Sequence, residues 1–192
     1  MQPTKEGKIS VSVMCSDLMN LERDIKQLER NGVDYLHVDV MDAHFVPNLT
    51  FGVDFIAAMH RVTKLPLDIH LMVEHPLPIM EAMDIRPGDR ISLHVELGEQ
   101  LHELAKAVRA RGAHFGLVVN PSTPVEALTP YLDEIEWVIL MLVQPGFAGA
   151  KLIDGILDKV AAARRFLDEH GHPETEISVD GSVSLSLIHI DA

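Results

Sequence analysis

Around residue 40 the chain reads His37-Val38-Asp39-Val40-Met41-Asp42-Ala43-His44-Phe45-Val46-Pro47-Asn48. Tyr35, Leu36, Val38 and Val40 supply the bulk that a strand favours, and Pro47-Asn48 lies beyond its end. Side chains alternate along a strand, so His37, Asp39 and Met41 share one face. A histidine, a carboxylate and a thioether at the C-terminal end of one strand make a poor core. Together they suit a metal ligand, a ligand that is also a base, and an apolar cover. Taken alone, the same triplet also describes a capped strand end with a solvated histidine and aspartate.

Two further segments add the same kinds of donor. His70 stands in His70-Leu71-Met72-Val73, and Asp180 in Val179-Asp180-Gly181. Two imidazoles and two carboxylates (His37, Asp39, His70 and Asp180) match one divalent metal site. That donor set suits Zn²⁺, Fe²⁺, Mn²⁺ or Co²⁺ without choosing among them. With 11 histidines in the chain, a single match means little, and only a fold that joins these strands makes a site. Pro145-Gly146-Phe147-Ala148-Gly149 could hold phosphate on backbone N–H groups or simply close a turn. Gly181 could add another N–H. Met41, Met72 and Met141 are either core or an apolar floor that keeps water from a reactive intermediate. Ser12 could hydrogen-bond a substrate hydroxyl or its own backbone.

Positioning these residues requires a regular scaffold. Strand segments are predicted at 9–15, 34–41, 67–73, 90–96, 114–119, 137–143 and 176–180. Between them lie amphipathic helical stripes: Leu18, Leu21, Ile25 and Leu28; Leu101, Leu104, Ala105 and Val108; and Ile153, Ile156, Leu157, Val160 and Ala161. Asp17 and Ser122-Thr123-Pro124 read as helix starts, and Gly32 and Gly112 as stops. Seven βα-type repeats indicate a parallel sheet with crossover helices. Both a doubly wound sheet and a (β/α)₈ barrel fit. Polar residues at or just after the strand ends favour the barrel: Ser12, His37, Asp39, His70, His94, Glu96, Asn120, Gln144 and Asp180. A barrel gathers those ends around one mouth.

The 192 residues are read as a single truncated TIM-barrel domain of about seven βα units, with the eighth strand missing. Residues 1–8 form a polar N-terminal tail without a secretory h-region. Residues 185–192 are read as a non-native tail, the native frame being expected to stop near Ser184. The net charge of -13 argues against nucleic-acid and anionic-membrane surfaces, although local N–H groups still bind anions. No apolar run approaches transmembrane length. The lone Cys15 rules out an internal disulfide and fits a reducing, cytoplasmic compartment.

The motifs converge on one family. Ser12-Val13-Met14-Cys15-Ser16-Asp17, the segment from His37 to Asn48, His70-Leu71-Met72-Val73, Gly116-Leu117-Val118-Val119-Asn120-Pro121, Pro145-Gly146-Phe147-Ala148-Gly149 and Val179-Asp180-Gly181 follow in order. In this the chain resembles the ribulose-phosphate 3-epimerase family of (β/α)₈ barrels from about Ile9 to Gly181. The resemblance implies metal ligands at His37, Asp39, His70 and Asp180, and acid/base residues at Asp39 and Asp180. It implies substrate contacts from Ser12, His70, Met41, Met72, Met141, Gly146, Phe147, Ala148, Gly149 and Gly181. The implied activity is metal-dependent interconversion of D-ribulose 5-phosphate and D-xylulose 5-phosphate, a pentose phosphate pathway step, through an ene-diolate. The implied partner is a small sugar phosphate, and homo-oligomerisation of a full-length parent is left open. There are departures: His94-Val95-Glu96 for the common His-Pro-Glu, Gln144 before the Pro-Gly-Phe run, Ser182 in place of a second glycine, and no Gly-Ser loop after an eighth strand. Asp-Gly-Ser, Pro-Gly-Phe-Ala-Gly and the early Met-Cys look more like the allulose-6-phosphate 3-epimerase branch, which is one alternative. An inactive fragment is the other.

Overall fold

Seven apolar runs pair into one parallel sheet in the computed structural model, which describes residues 7–183. The strands are β1 (Ser10–Ser12), β2 (Tyr35–Met41), β3 (Leu67–Met72), β4 (Arg90–His94), β5 (His114–Val119), β6 (Trp137–Met141) and β7 (Glu176–Asp180). They are ordered β1-β2-β3-β4-β5-β6-β7, each parallel to the next. The helices are α1 (Leu21–Arg30), α2 (Val53–Val62), α3 (Pro76–Ala82), α4 (Leu101–Arg109) and α5 (Leu157–Glu169). The sheet curls into an incomplete (β/α)₈ barrel. No β1–β7 ladder forms among the described residues, yet the seam is narrow enough for Lys8 beside β1 to pair with Glu176 on β7. Most of the polar tail 1–8 and all of segment 185–192 lie outside the described residues.

The outward face of the sheet carries the main core. Leu36, Val38 and Val40 of β2, Leu67, Ile69 and Leu71 of β3, and Phe115, Leu117 and Val119 of β5 are buried beneath the helices. The helices answer with Ile25, Ile56, Met59, and the full α4 stripe of Leu101, Leu104, Ala105 and Val108. The inward face is different. Near the N-terminal ends of the strands, the Arg90 guanidinium lies 4.0 Å from the Trp137 ring centre and 4.8 Å from that of Tyr35. Gly116 makes room for that stack: a Cβ there would sit 2.3 Å from Trp137 Cε2. This plug closes one end of the interior and leaves the polar residues to the other end.

Several elements differ from expectation. β1 stops at Ser12, and a 3-10 turn, Val13–Cys15, buries Val13. β4 stops at His94, placing Glu96 in the 3-10 segment Val95–Gln100. The segment after Ser122-Thr123-Pro124 is a 3-10 run, Val125–Glu134, rather than an α-helix, and Pro130 inside it supplies no backbone N–H. Asp17 caps a short 3-10 turn, Leu18–Asn20, ahead of α1. Ile153 and Ile156 precede α5, and Ala161 is exposed; the buried stripe is Ile156, Ala163, Phe166 and Leu167. Gly32 and Gly112 do follow α1 and α4 with φ of 75° and 73°.

Candidate metal centre

Strand register assembles the site. In the β2–β3 ladder Asp39 pairs with His70, His37 with Asp68, and Met41 with Met72. Asp180 enters from β7, across the curl of the sheet. Asp39 Oδ1 lies 3.2 Å from His37 Nε2 and 3.3 Å from His70 Nδ1. Asp180 Oδ2 lies 3.8 Å from His37 Nε2 and 3.7 Å from His70 Nδ1. One donor atom from each of the four residues falls within 4.8 Å of all the others. His37, Asp39 and His70 are buried, while the Asp180 side chain keeps 28% of its surface.

A second layer holds these groups in place. Asp68 Oδ2 accepts from His37 Nδ1 at 3.0 Å and from the Ser10 hydroxyl at 2.8 Å. The Ser12 hydroxyl donates to Asp39 Oδ2 at 2.9 Å, so its partner here is a carboxylate rather than its own backbone. His70 Nε2 lies 2.9 Å from His94 Nε2, and His94 Nδ1 lies 3.4 Å from Glu96 Oε2. The sequence assigned no role to Ser10 or Asp68, and showed His94 and Glu96 as strand-end polar groups that depart from the common His-Pro-Glu. Alternation could have put Asp68 on the His70 face, but only the register shows that it meets His37.

The charges respond to this packing. Burial opposes the His37 imidazolium, yet the Asp39 and Asp68 carboxylates outweigh it and hold its pKa well above the usual histidine range. Burial would raise Asp39 and Asp68, but His37 and the donated hydrogen bonds pull both below the usual carboxylate range. For His94 burial dominates and pushes it down to about 4, Glu96 offsetting only part of that. Positive charge is therefore favoured between the carboxylates, and His94 is favoured neutral.

The remaining expected residues divide into groups. Met41 and Met72 pack with Val46, whereas Met141 belongs to a separate cluster with Val118, Trp137, Ile139 and Val143. The expected single methionine floor is thus two walls, because β6 lies across the interior from β2 and β3. Met141 is the register partner of Asp180. In the 145–149 loop Gly146 is buried with φ of 117°, and Phe147, Ala148 and Gly149 are exposed. None of the N–H groups of residues 146–149 donates to a backbone carbonyl among the described residues. Gly181 packs against Val143, just ahead of this loop; with φ of 102° and a Cβ that would sit 2.4 Å from Val143 Cγ2, it accepts no larger residue without rearrangement. Asn48 Nδ2 donates to the Gly146 carbonyl at 2.7 Å, tying the loop after β2 to the loop after β6. Asn120 stands away from the centre, where its N–H meets Glu96, and Gln144 is exposed.

The donor set fits a divalent ion. Separations of 3.2, 3.3, 3.7 and 3.8 Å between the imidazole nitrogens and carboxylate oxygens bracket the ~3.4 Å edge of a tetrahedron with bonds of about 2.0–2.1 Å. His37 is also backed by a carboxylate, as metal-bound histidines are. The four donors and the carboxylate behind His37 make a centre able to hold a metal.

Fold and centre together define a barrel-type protein with a His/Asp cluster able to hold a metal at the C-terminal mouth of its strands. A similar scaffold occurs in a Mycobacterium tuberculosis tryptophan synthase structure, at a TM-score of 0.50 and 14% identity over 88% of this chain and 80% of that one. The "Ribulose-phosphate 3 epimerase family" model matches residues 8–191. A ribulose-phosphate 3-epimerase of Bacillus subtilis is 40% identical over 92% of this chain and 82% of its own length. One of Treponema pallidum is 39% identical over 91% of this chain and 80% of its own length. The chain belongs to the ribulose-phosphate 3-epimerase family.

Proposed function

We propose that this protein is an isomerase that interconverts D-ribulose 5-phosphate and D-xylulose 5-phosphate by moving a proton at C3. The observation that carries this reading is the meeting of Asp39 from β2 and Asp180 from β7 at one imidazole-lined centre. Epimerisation requires a proton to leave one face of the ketose and return on the other. Two carboxylates from opposite sides of a barrel interior meet that need, one deprotonated and one protonated at each turn. Asp39 is the base for one epimer and Asp180 for the other. Their roles exchange with direction.

His37, Asp39, His70 and Asp180 would hold the divalent ion, with Zn²⁺, Fe²⁺, Mn²⁺ and Co²⁺ all suited to the donors. Such an ion, once bound, supplies Lewis-acid stabilisation of the charge that develops on the substrate oxygens. Ser12 steadies Asp39 through its hydrogen bond. Met41, Met72 and Met141 line the approach with apolar surface and exclude water. The N–H groups of residues 146–149 and of Gly181 anchor the phosphate and so fix C3 between the two aspartates.

The relatives' names favour the pentulose phosphate, leaving allulose 6-phosphate as the second reading on the strength of the Asp180-Gly181-Ser182 motif. No helix among the described residues is long and apolar enough to cross a membrane. We place the protein in the cytoplasm. The test is to load the 192-residue chain with each of the four metals and assay ribulose 5-phosphate and allulose 6-phosphate separately. Faster turnover of the pentulose phosphate is expected. Faster turnover of the hexulose phosphate would shift the assignment, and metal binding without any turnover would overturn the enzymatic reading of this chain.

A further inference from the structure

His70 and His94 are both wholly buried, and their Nε2 atoms stand 2.9 Å apart. Two ring nitrogens at that distance share one proton between them; two lone pairs would repel, and so would two N–H groups. Neither ring keeps exposed surface through which bulk solvent could relieve a mismatch. His70 turns its other nitrogen, Nδ1, to Asp39 and Asp180. If Nδ1 is to give a lone pair to a cation, the His70 proton must sit on Nε2 and be donated to His94. The neutral His94 ring then carries its own proton on Nδ1, an atom without an aligned hydrogen-bond partner among the described residues. The group facing it is Glu96 Oε2 at 3.4 Å. Glu96 is in turn held by the Thr123 hydroxyl and, at 3.3 Å, by the Asn120 N–H. Phe45 covers the His94 ring, centre to centre at 4.7 Å.

We propose that His94 and Glu96 are positioning residues that lock His70 as an Nδ1 metal ligand, in a directed chain from His70 through His94 to Glu96. The inference rests on the metal centre proposed above and extends it. Both ligand histidines then end on a carboxylate. His37 reaches Asp68 directly, and His70 reaches Glu96 through a second imidazole. The arrangement fixes the tautomer of each ligand and makes it a better donor.

The test uses Zn²⁺ alone as the probe, with a chromophoric chelator as competitor, on the wild-type chain and on His94→Leu, His94→Gln and Glu96→Gln. Circular dichroism checks that each variant folds. Removing the acceptor in His94→Leu is expected to weaken Zn²⁺ binding about 10- to 100-fold, the usual cost of losing such a partner. His94→Gln, whose amide oxygen can still accept from His70, is expected to recover most of that loss. Glu96→Gln keeps the contact but loses the charge and is expected to fall between. Long-range ¹H–¹⁵N correlation of the Zn²⁺-loaded wild type should place the His70 proton on Nε2.

A His94→Leu affinity equal to wild type would overturn the inference, as would a His70 proton on Nδ1. If His94→Leu does not fold, Glu96→Gln decides: a loss of about threefold or more supports the chain, and an unchanged affinity refutes it. A wild-type chain that binds no Zn²⁺ would sink the metal-centre reading and this inference together. Binding with no variant effect would sink this inference alone.

Discussion

Replacing Asp180 by asparagine should cut epimerisation by orders of magnitude while leaving half of the proton chemistry in place. The side chain is suited to the experiment. It keeps 28% of its surface, and its nearest partners are the His70 and His37 nitrogens at 3.7 and 3.8 Å. An amide of the same shape should therefore disturb the fold little. What it removes is a group that can accept and return a proton. A positioned acid/base group contributes about 10²–10⁴-fold, equivalent to about 3–5 kcal/mol of barrier, and kcat/KM should fall by that much. Asp39 remains, still held by Ser12 at 2.9 Å. It should keep exchanging the C3 proton of one epimer with solvent. Asp39→Asn should show the mirror pattern, less cleanly, because Asp39 is buried and its carboxylate faces Ser12, His37 and His70 at once. The assay incubates each metal-loaded variant with ribulose 5-phosphate or xylulose 5-phosphate in D₂O. It follows deuterium at C3 and product together, with metal content measured alongside. Epimerisation near the wild-type rate in either variant would show that Asp39 and Asp180 are not the acid/base pair.

Two further outcomes follow from the packing. Asp68→Asn removes the charge that backs His37 Nδ1, and Zn²⁺ affinity should drop about 10- to 100-fold in chelator competition; an unchanged affinity would mean Asp68 does not orient His37. Gly116→Ala puts a Cβ 2.3 Å from a Trp137 ring that Arg90 holds from above, and should cost about 1–3 kcal/mol by urea unfolding, read through the fluorescence of the chain's one tryptophan. A wild-type midpoint would show that the interior plug is loosely packed.

Local pattern alone determined much of this protein. Alternation along 35–41 placed His37, Asp39 and Met41 on one face, and the structure keeps them there. The near-continuous apolar strands announced a sheet covered by helices, and the α4 stripe of Leu101, Leu104, Ala105 and Val108 is buried as its period required. Donor types at His37, Asp39, His70 and Asp180 were legible because metal chemistry restricts which side chains can serve. The tertiary structure decided the rest. Asp68 and His94 are polar residues on apolar strands, and nothing near either in the chain names the histidine it meets. Their partners, His37 and His70, are set by the register of β2, β3 and β4. Ser12 proved to hold Asp39, and the three methionines split into two walls, because the curl of the sheet decides which strands face each other. A period of two or 3.6 residues is written in neighbouring side chains, and it fixes which way each one points. What waits at the far end depends on strands that are tens of residues away in the chain, and only packing the whole sheet brings them into range.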